Sequence, residues 1–201
     1  MLKIVLATRN DGKLKEIKYK LEKYAIILES LQDYTRIPEI METGKTFTEN
    51  ALIKARTVAK WTNLPAVADD SGLEIDYLGK KPGVYSARWG KTDRQRIEKV
   101  LAALKNTNNE QRSARFVCVM SMVVPAKNDQ KVFLTEGLCS GKITLVPQGT
   151  SGFGYDPIFI PDGYDKTFAQ LGETVKNAIS HRAIALDRMI QIIIEHYKLN
   201  K

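Results

Sequence analysis

Leu64-Pro65-Ala66-Val67-Ala68-Asp69-Asp70-Ser71-Gly72-Leu73-Glu74-Ile75-Asp76-Tyr77-Leu78 sets two adjacent carboxylates between an apolar run and a second strand-like run. The apolar residues predict a buried strand up to Ala68, a turn over Asp69-Asp70-Ser71-Gly72, and a second strand from Leu73 to Leu78. Strand side chains alternate between faces, so Asp69 and Asp70 are expected to point in different directions. At most one of them need then be a main metal ligand or base. A carboxylate fixed at a strand end suits Mg²⁺, which takes one or two protein carboxylates and draws its other oxygens from water and substrate phosphates. The same residue types make ordinary local turns, so this step alone assigns no function.

Working towards the N-terminus, the helix that leads into this strand is well marked. Thr46 with Glu49 three residues later is a capping box. From Phe47 to Trp61, Phe47, Ala51, Ala55 and Val58 fall on one face, with Glu49, Arg56 and Lys60 opposite. Lys54 lies at the edge of the apolar stripe, one turn after Asn50. Two readings stand for it: a lysine whose ammonium snorkels outward, or a charge directed into a cleft floored by the helix. Further back, Leu2 to Ala7 predicts a buried first strand. It breaks at Thr8-Arg9-Asn10-Asp11-Gly12-Lys13 and resumes helically through Leu14, Ile17, Leu21 and Tyr24. A strand, a polar turn and a helix leave backbone N–H groups aimed at the turn, where an anion can sit, and Arg9 and Lys13 add positive charge. The glycine spacing is not that of a Walker A loop. Leu28 to Met41 reads as a strand and loop.

Towards the C-terminus, Pro82-Gly83 predicts a turn before a loop that carries Ser86 and Arg88. Thr92 with Gln95 is a second capping box, opening a helix through Ile97, Val100, Leu101 and Leu104 that reads as packing only. Arg112 to Val124 and Lys131 to Val146 are β-rich segments joined by Pro125-Ala126-Lys127-Asn128-Asp129-Gln130, as in an antiparallel hairpin. Arg115, within the first of them, reads as a salt-bridged scaffold residue or a site residue. The stretch Gln148-Gly149-Thr150-Ser151-Gly152-Phe153-Gly154-Tyr155-Asp156-Pro157 is unusual. Glycines on both sides of Phe153 leave its ring without bulky neighbours, a platform on which a base can stack. Pro157 holds Asp156 extended, fixing a carboxylate nearby. A last helix from about Ser180 to Tyr197 buries Ala183, Leu186, Met189, Ile190, Ile193, Ile194 and Tyr197, with Ser180 as N-cap. His181 and Arg182 in its first turn oppose the helix dipole, which makes sense if they donate hydrogen bonds to a ligand, with Lys176 as a third donor upstream.

The chain of 201 residues suits one domain, or one domain with two lobes, and its 43% hydrophobic content is enough for a sizeable core. No apolar run approaches a membrane span, and the N-terminus reads as a strand rather than a signal peptide. Two cysteines, Cys118 and Cys139, form no metal-ligand pattern and suit a reduced, cytoplasmic setting. A formal charge of +8 favours an anionic partner without choosing among nucleic acid, nucleotide and acidic surface.

Six segments in register resemble the inosine triphosphate pyrophosphatase family, also called XTP/dITP diphosphatases. They are Ala-Thr-Arg-Asn-Asp-Gly-Lys (7–13), Glu-Thr-Gly with Thr-Phe-Thr-Glu-Asn-Ala-Leu-Ile-Lys-Ala-Arg (42–56), Ala-Asp-Asp-Ser-Gly-Leu (68–73), Pro-Gly-Val-Tyr-Ser-Ala-Arg (82–88), Ser-Gly-Phe-Gly-Tyr-Asp-Pro-Ile-Phe (151–159) and Lys-Asn-Ala-Ile-Ser-His-Arg with Ala-Leu (176–186). The resemblance covers essentially the whole chain. It implies an α/β fold, a long mixed β-sheet flanked by helices, with two lobes around a central cleft in a single pyrophosphatase domain over residues 1–201. It also implies a Mg²⁺-dependent, cytoplasmic, homodimeric enzyme that hydrolyses ITP, dITP and XTP to the monophosphate and pyrophosphate, cleansing the nucleotide pool. By motif, Thr8, Arg9, Asn10, Asp11, Gly12 and Lys13 would line the triphosphate, with Lys54 reaching it from the helix. Glu42 and Asp70 would serve the metal, and Asp70 would accept a proton from water. Ser71 would contact substrate, and Phe153, Gly154, Tyr155, Asp156, Lys176, His181 and Arg182 would hold the purine. Val175 departs from the family, which commonly has an acidic residue there, so the resemblance supplies Lys176 with no local carboxylate. Two alternatives remain open: a pyrophosphatase of modified pyrimidine nucleotides, and a basic single-stranded nucleic-acid-binding module. Against the second, the basic residues are scattered, with no aromatic interleaving along a strand, so no stable nucleic-acid partner and no membrane partner is expected.

Overall fold

The computed structural model describes residues 2–22, 24, 26–34, 37–126 and 129–199. Within the predicted hairpin turn, Lys127 and Asn128 lie outside the described residues, as do Thr35 and Arg36 in the Leu28–Met41 segment. Six strands form one sheet: β1 (Leu2–Leu6), β2 (Ile26–Ser30), β3 (Ala66–Ile75), β4 (Ser113–Val124), β5 (Lys131–Ile143) and β6 (Phe159–Pro161). Their order across the sheet is β2-β1-β3-β4-β5-β6. The sheet is mixed, because β1 runs parallel to β2 and to β3 while β5 and β6 are antiparallel. Helices α1 (Asp11–Leu21), α2 (Phe47–Thr62), α3 (Asp93–Ala103), α4 (Phe168–Ile179) and α5 (His181–Tyr197) complete the α/β architecture expected from the sequence. None of the described helices is long and apolar enough to cross a membrane.

The chain divides into two compact units. The first comprises Met1–Asp70, Val119–Glu136 and Ala185–Lys201, and the second Ser71–Cys118 and Gly137–Ile184. In the first, Val5 and Ala7 of the β1 end, Ala66 and Ala68 of β3, and Ala55, Val58 and Ala59 of α2 pack into one core. Parallel strands buried on both faces carry continuous apolar runs, which is why residues 4–7 and 66–68 read so clearly. In the second, Leu73, Ile75, Val100, Phe116, Ile158, Phe159 and Phe168 share a core. Phe116 contacts both Phe159 and Phe168 by tilted aromatic packing.

Four expectations change. Asp156, expected to be held extended by Pro157, instead opens a short 3₁₀ turn, Asp156–Ile158, because Pro157 fits the first turn of a helix as well as an extended segment. Residues 66–75 form one uninterrupted strand, not two strands about a turn. Asp69 and Asp70 are 1% and 5% exposed, and ion-pair partners take the place of the water that a turn would supply. Helix α1 stops at Leu21, one turn short of Tyr24. Helix α4 was not anticipated, although Thr167 and Gln170 form a full capping box with the same spacing as Thr46 and Glu49. Gly172, at φ 79°, breaks it into two helical pieces, and that interruption hides its periodicity.

Candidate functional site

In the first unit the functional side chains gather at the C-terminal end of β1, the middle of β3 and the first half of α2. The capping box of Thr46 and Glu49 starts α2, and the helix then presents Asn50 and Lys54, 0% and 9% exposed, from its buried face. Lys54 does not snorkel outward. Its Nζ lies 2.5 Å from Glu42 Oε1 and 3.7 Å from Asp70 Oδ1. Asn50 Nδ2 donates to Asp70 Oδ2 at 3.0 Å, and the Asn50 carbonyl oxygen accepts from Gly44 N–H at 2.8 Å. A side chain on Gly44 would meet that oxygen, so glycine is required for this approach. Lys13 is held by the other carboxylate of the strand, 2.9 Å from Asp69 Oδ2. The alternation expected of strand side chains thus gives Asp69 and Asp70 different lysines.

The turn ahead of α1 is built locally. Asn10 is the N-cap, its Oδ1 accepting from Lys13 N–H at 3.1 Å, and Thr8 Oγ1 accepts from Asn10 N–H. Arg9 donates to the Ile37 carbonyl, and Asp11 accepts from Gln32 Nε2, so both face the neighbouring segment. Gly12 is half-buried in the first turn.

The electrostatics of this cluster are opposed. For Lys54, burial pulls the ammonium's pKa down, but Asp70, Asp69 and Glu42 together push it above the usual value. For Asp70, burial raises the carboxyl above its ordinary 3.8, outweighing attraction from Lys54 and Lys13, with Glu42 adding to the rise. A carboxylate held that way is a stronger base than a solvated one. Among the described residues no group of three or more His, Cys, Asp or Glu is placed to hold a metal ion. Glu42 and Asp70, two carboxylates on one ammonium, make a partial oxygen shell. That donor set fits Mg²⁺ completed by water and phosphate, and does not fit zinc, which prefers nitrogen and sulfur.

The second unit holds the other sequence candidates. Phe153 lies in a loop shaped by Gly152 and Gly154 at φ 80° and 64°. Lys176 Nζ stands 4.1 Å from the Phe153 ring centroid and Arg182 Cζ 5.7 Å from it. The carboxylate missing at Val175 is supplied by Asp156, whose Oδ2 lies 2.6 Å from Lys176 Nζ and accepts from Phe153 N–H at 2.9 Å. That oxygen would collide with any side chain on Gly152. Tyr155 is 4% exposed and donates its hydroxyl to the Ser86 carbonyl. Burial raises its pKa well above normal. Ser180 Oγ caps α5 by accepting from Ala183 N–H. His181 lies stacked on Phe116, with ring centroids 4.6 Å apart, and Arg182 Nη2 donates to Ser71 Oγ at 3.4 Å. Ser86 and Arg115 are scaffold residues. Ser86 Oγ accepts from Leu73 N–H and donates to the Gly83 carbonyl, and Arg115 pairs with Glu74 at 2.8 Å.

Sequence reasoning underrated three residues. Asn50 was noted only as a neighbour of Lys54. Asp93 lies in the helix assigned to packing alone and Phe116 in a β-rich segment given no role, yet Asp93 accepts from Gly154 N–H at 2.7 Å and Phe116 stacks on the His181 ring. Contacts over 61 or 65 residues of chain leave no local signature; for Asp93 the sole hint was an acidic residue just after the Thr92 cap.

The model of the Ham1 family matches residues 4–192. The dITP/XTP pyrophosphatase of Bacillus subtilis strain 168 is 47% identical over 196 residues, which cover 96% of this chain and 98% of that protein. That of Coxiella burnetii is 45% identical over 200 residues, covering 98% of this chain and 99% of that protein. Among solved structures, a HAM1 protein from Coxiella burnetii superposes with a TM-score of 0.88 at 45% identity, covering 97% of this chain and 100% of that one. The Ham1 protein of Staphylococcus aureus gives 0.83 at 39% identity, covering 97% and 99%. Likeness of this degree over nearly the full length of both sequence and fold means that the chain belongs to the Ham1 family.

Proposed function

We propose that this protein is a nucleoside triphosphate pyrophosphatase that hydrolyses deaminated purine nucleotides, ITP, dITP and XTP, to the monophosphate and pyrophosphate. The observation that carries the proposal is the cluster in which Glu42 and Asp70 share Lys54 while Asp69 holds Lys13. The naming of similar relatives as dITP/XTP pyrophosphatases supports the choice of substrate. Residues 1–201 act as a single domain in which the two units are its lobes. The family resemblance carries two further parts of the proposal, a cytoplasmic location and a homodimer.

Phosphoryl transfer needs positioning and charge neutralisation more than covalent help from the protein. The N-terminus of α1, with Thr8, Arg9, Asn10, Asp11 and Gly12 about it, offers backbone N–H groups to the triphosphate, and Lys13 and Lys54 offset its charge. Glu42 and Asp70 would hold Mg²⁺, which when bound would polarise the phosphate oxygens and neutralise charge that builds up on them. Asp70 takes the proton from the water that attacks the α-phosphorus, and pyrophosphate leaves. Asn50 keeps one oxygen of Asp70 engaged, so its other oxygen faces Lys54.

Purine selection falls to the second unit. Phe153 offers a face for the base, Lys176 and Arg182 stand over that ring, and Asp156, Tyr155 and Gly154 shape the loop. Inosine and xanthosine carry a keto acceptor at position 6, where adenosine carries an amino donor. His181 and Arg182 as donors reward the keto form and leave an unmatched donor pair against adenosine. Sites of this kind discriminate by factors on the order of 10⁴. The deciding experiment incubates the protein with Mg²⁺ and, separately, ITP, XTP, GTP, ATP and a modified pyrimidine triphosphate, and measures pyrophosphate and orthophosphate. Pyrophosphate from ITP and XTP, with little from ATP, is expected. Orthophosphate, or a preference for the pyrimidine, refutes the proposal.

A further inference from the structure

Three successive residues of the Phe153 loop are each tied to a different anchor. Phe153 N–H donates to Asp156 Oδ2 at 2.9 Å, Gly154 N–H to Asp93 Oδ2 at 2.7 Å, and the Tyr155 hydroxyl to the Ser86 carbonyl at 2.9 Å. The first anchor belongs to the loop itself. The other two come from the distant segment that ends in the first turn of α3. Asp93 is well prepared to act as one. Its second oxygen, Oδ1, is paired with Arg96 Nη1, and Arg96 Nε donates to the Gly90 carbonyl at 3.1 Å. Gly90 permits this because a side chain there would press on the Arg96 backbone nitrogen at 2.9 Å. The start of α3 also favours an anion through the helix dipole.

We propose that Asp93 is a positioning residue for purine binding: it fixes the peptide between Phe153 and Gly154 and so sets the pitch of the Phe153 ring beneath Lys176 and Arg182. This rests on the proposed function, in which Phe153 carries the base. Gly154, at φ 64° and with open space about its α-carbon, has ample freedom to swing if the Asp93 bond is lost. The contacts of Asp93 with Gly154 and Arg96 both lie in the second unit, on the side of the base and not of the carboxylates assigned to the chemistry, so its loss is felt in substrate capture, not in turnover.

The test compares Asp93→Ala and Asp93→Asn with the parent protein. KM and kcat are measured on ITP with Mg²⁺, and amide exchange of Gly154 is followed by NMR. Asp93 is half-exposed, which favours folding of both variants. Losing one charge-assisted hydrogen bond is expected to raise KM for ITP about five- to tenfold in Asp93→Ala, with kcat within about twofold and Gly154 exchanging at least about tenfold faster. Asp93→Asn keeps an acceptor oxygen and is expected to recover most of both effects. An unchanged KM in Asp93→Ala, or fast Gly154 exchange already in the parent protein, overturns the assignment. A parent protein that leaves ITP intact removes the functional reading instead, while exchange at Gly154 still reports whether Asp93 holds the loop.

Discussion

Replacing Asp156 by alanine strips the Lys176 ammonium of the carboxylate 2.6 Å away, in a place where the two side chains are only 5% and 3% exposed. Water cannot take over that role at such burial. Breaking a buried pair by removing one partner costs about 3–5 kcal/mol, and Phe153 N–H loses its acceptor as well. For a chain of this length each kcal/mol moves the melting temperature by about 2–4 °C, so Asp156→Ala should melt roughly 6–20 °C lower. Lys176→Met reverses the imbalance, leaving the Asp156 carboxylate buried with the Phe153 amide, and should also destabilise by several kcal/mol. The double variant Asp156→Ala with Lys176→Met removes both charges, so its loss should be smaller than the sum of the single losses by roughly 1–3 kcal/mol. Urea unfolding followed by tryptophan fluorescence, with calorimetry for the melting temperature, completes the cycle. A melting temperature for Asp156→Ala within about 2 °C of the parent, or additive losses around the cycle, refutes the reasoning that the pair is buried and mutually dependent.

Asp70→Asn should leave a folded protein with turnover on ITP reduced by at least about 10²-fold, as loss of a general base typically does, and near-normal kcat removes Asp70 from that role. The raised pKa of Asp70, caused first by burial, gives a sign to its pH dependence. The unfolded chain releases this proton near 3.8 and the folded one only at higher pH, so Asp70 lowers stability as pH rises across that interval and adds nothing further above it. Without metal, the stability difference between the parent and Asp70→Asn should accordingly move against the parent as pH rises from 3.8, and a move in its favour in urea unfolding contradicts the raised pKa. In Lys54→Met, Glu42 and Asp70 face one another without their shared ammonium, so the metal-free melting temperature should fall by several degrees and Mg²⁺ should restore much of it; a thermal shift series in Mg²⁺ with no response refutes the metal placement. Arg182→Ala should lower kcat/KM for ITP far more than for ATP, and an equal fall on both substrates denies Arg182 the reading of position 6.

The primary structure alone was enough for the family, the mixed α/β class and the inventory of charged residues. The buried part of a parallel strand, residues 4–6 of β1, is continuously apolar, and capping boxes such as Thr46 with Glu49 leave a fixed local spacing. These signals survive in one dimension because the forces behind them act between near neighbours in the chain. The strand through Asp69 and Asp70 was misread as a turn for the same reason. Locally, Asp-Asp-Ser-Gly favours a bend, and only Lys13, Lys54 and Asn50, brought in from other elements, make burial of two carboxylates in a straight strand tolerable. Tertiary structure likewise decided that Lys54 points inward, that Asp156 replaces the acidic neighbour absent at Val175, and that Asp93 grips Gly154. Charge pairs and hydrogen bonds depend on distance in space, and the order of residues along the chain does not encode which distant partner will fill a buried group's need.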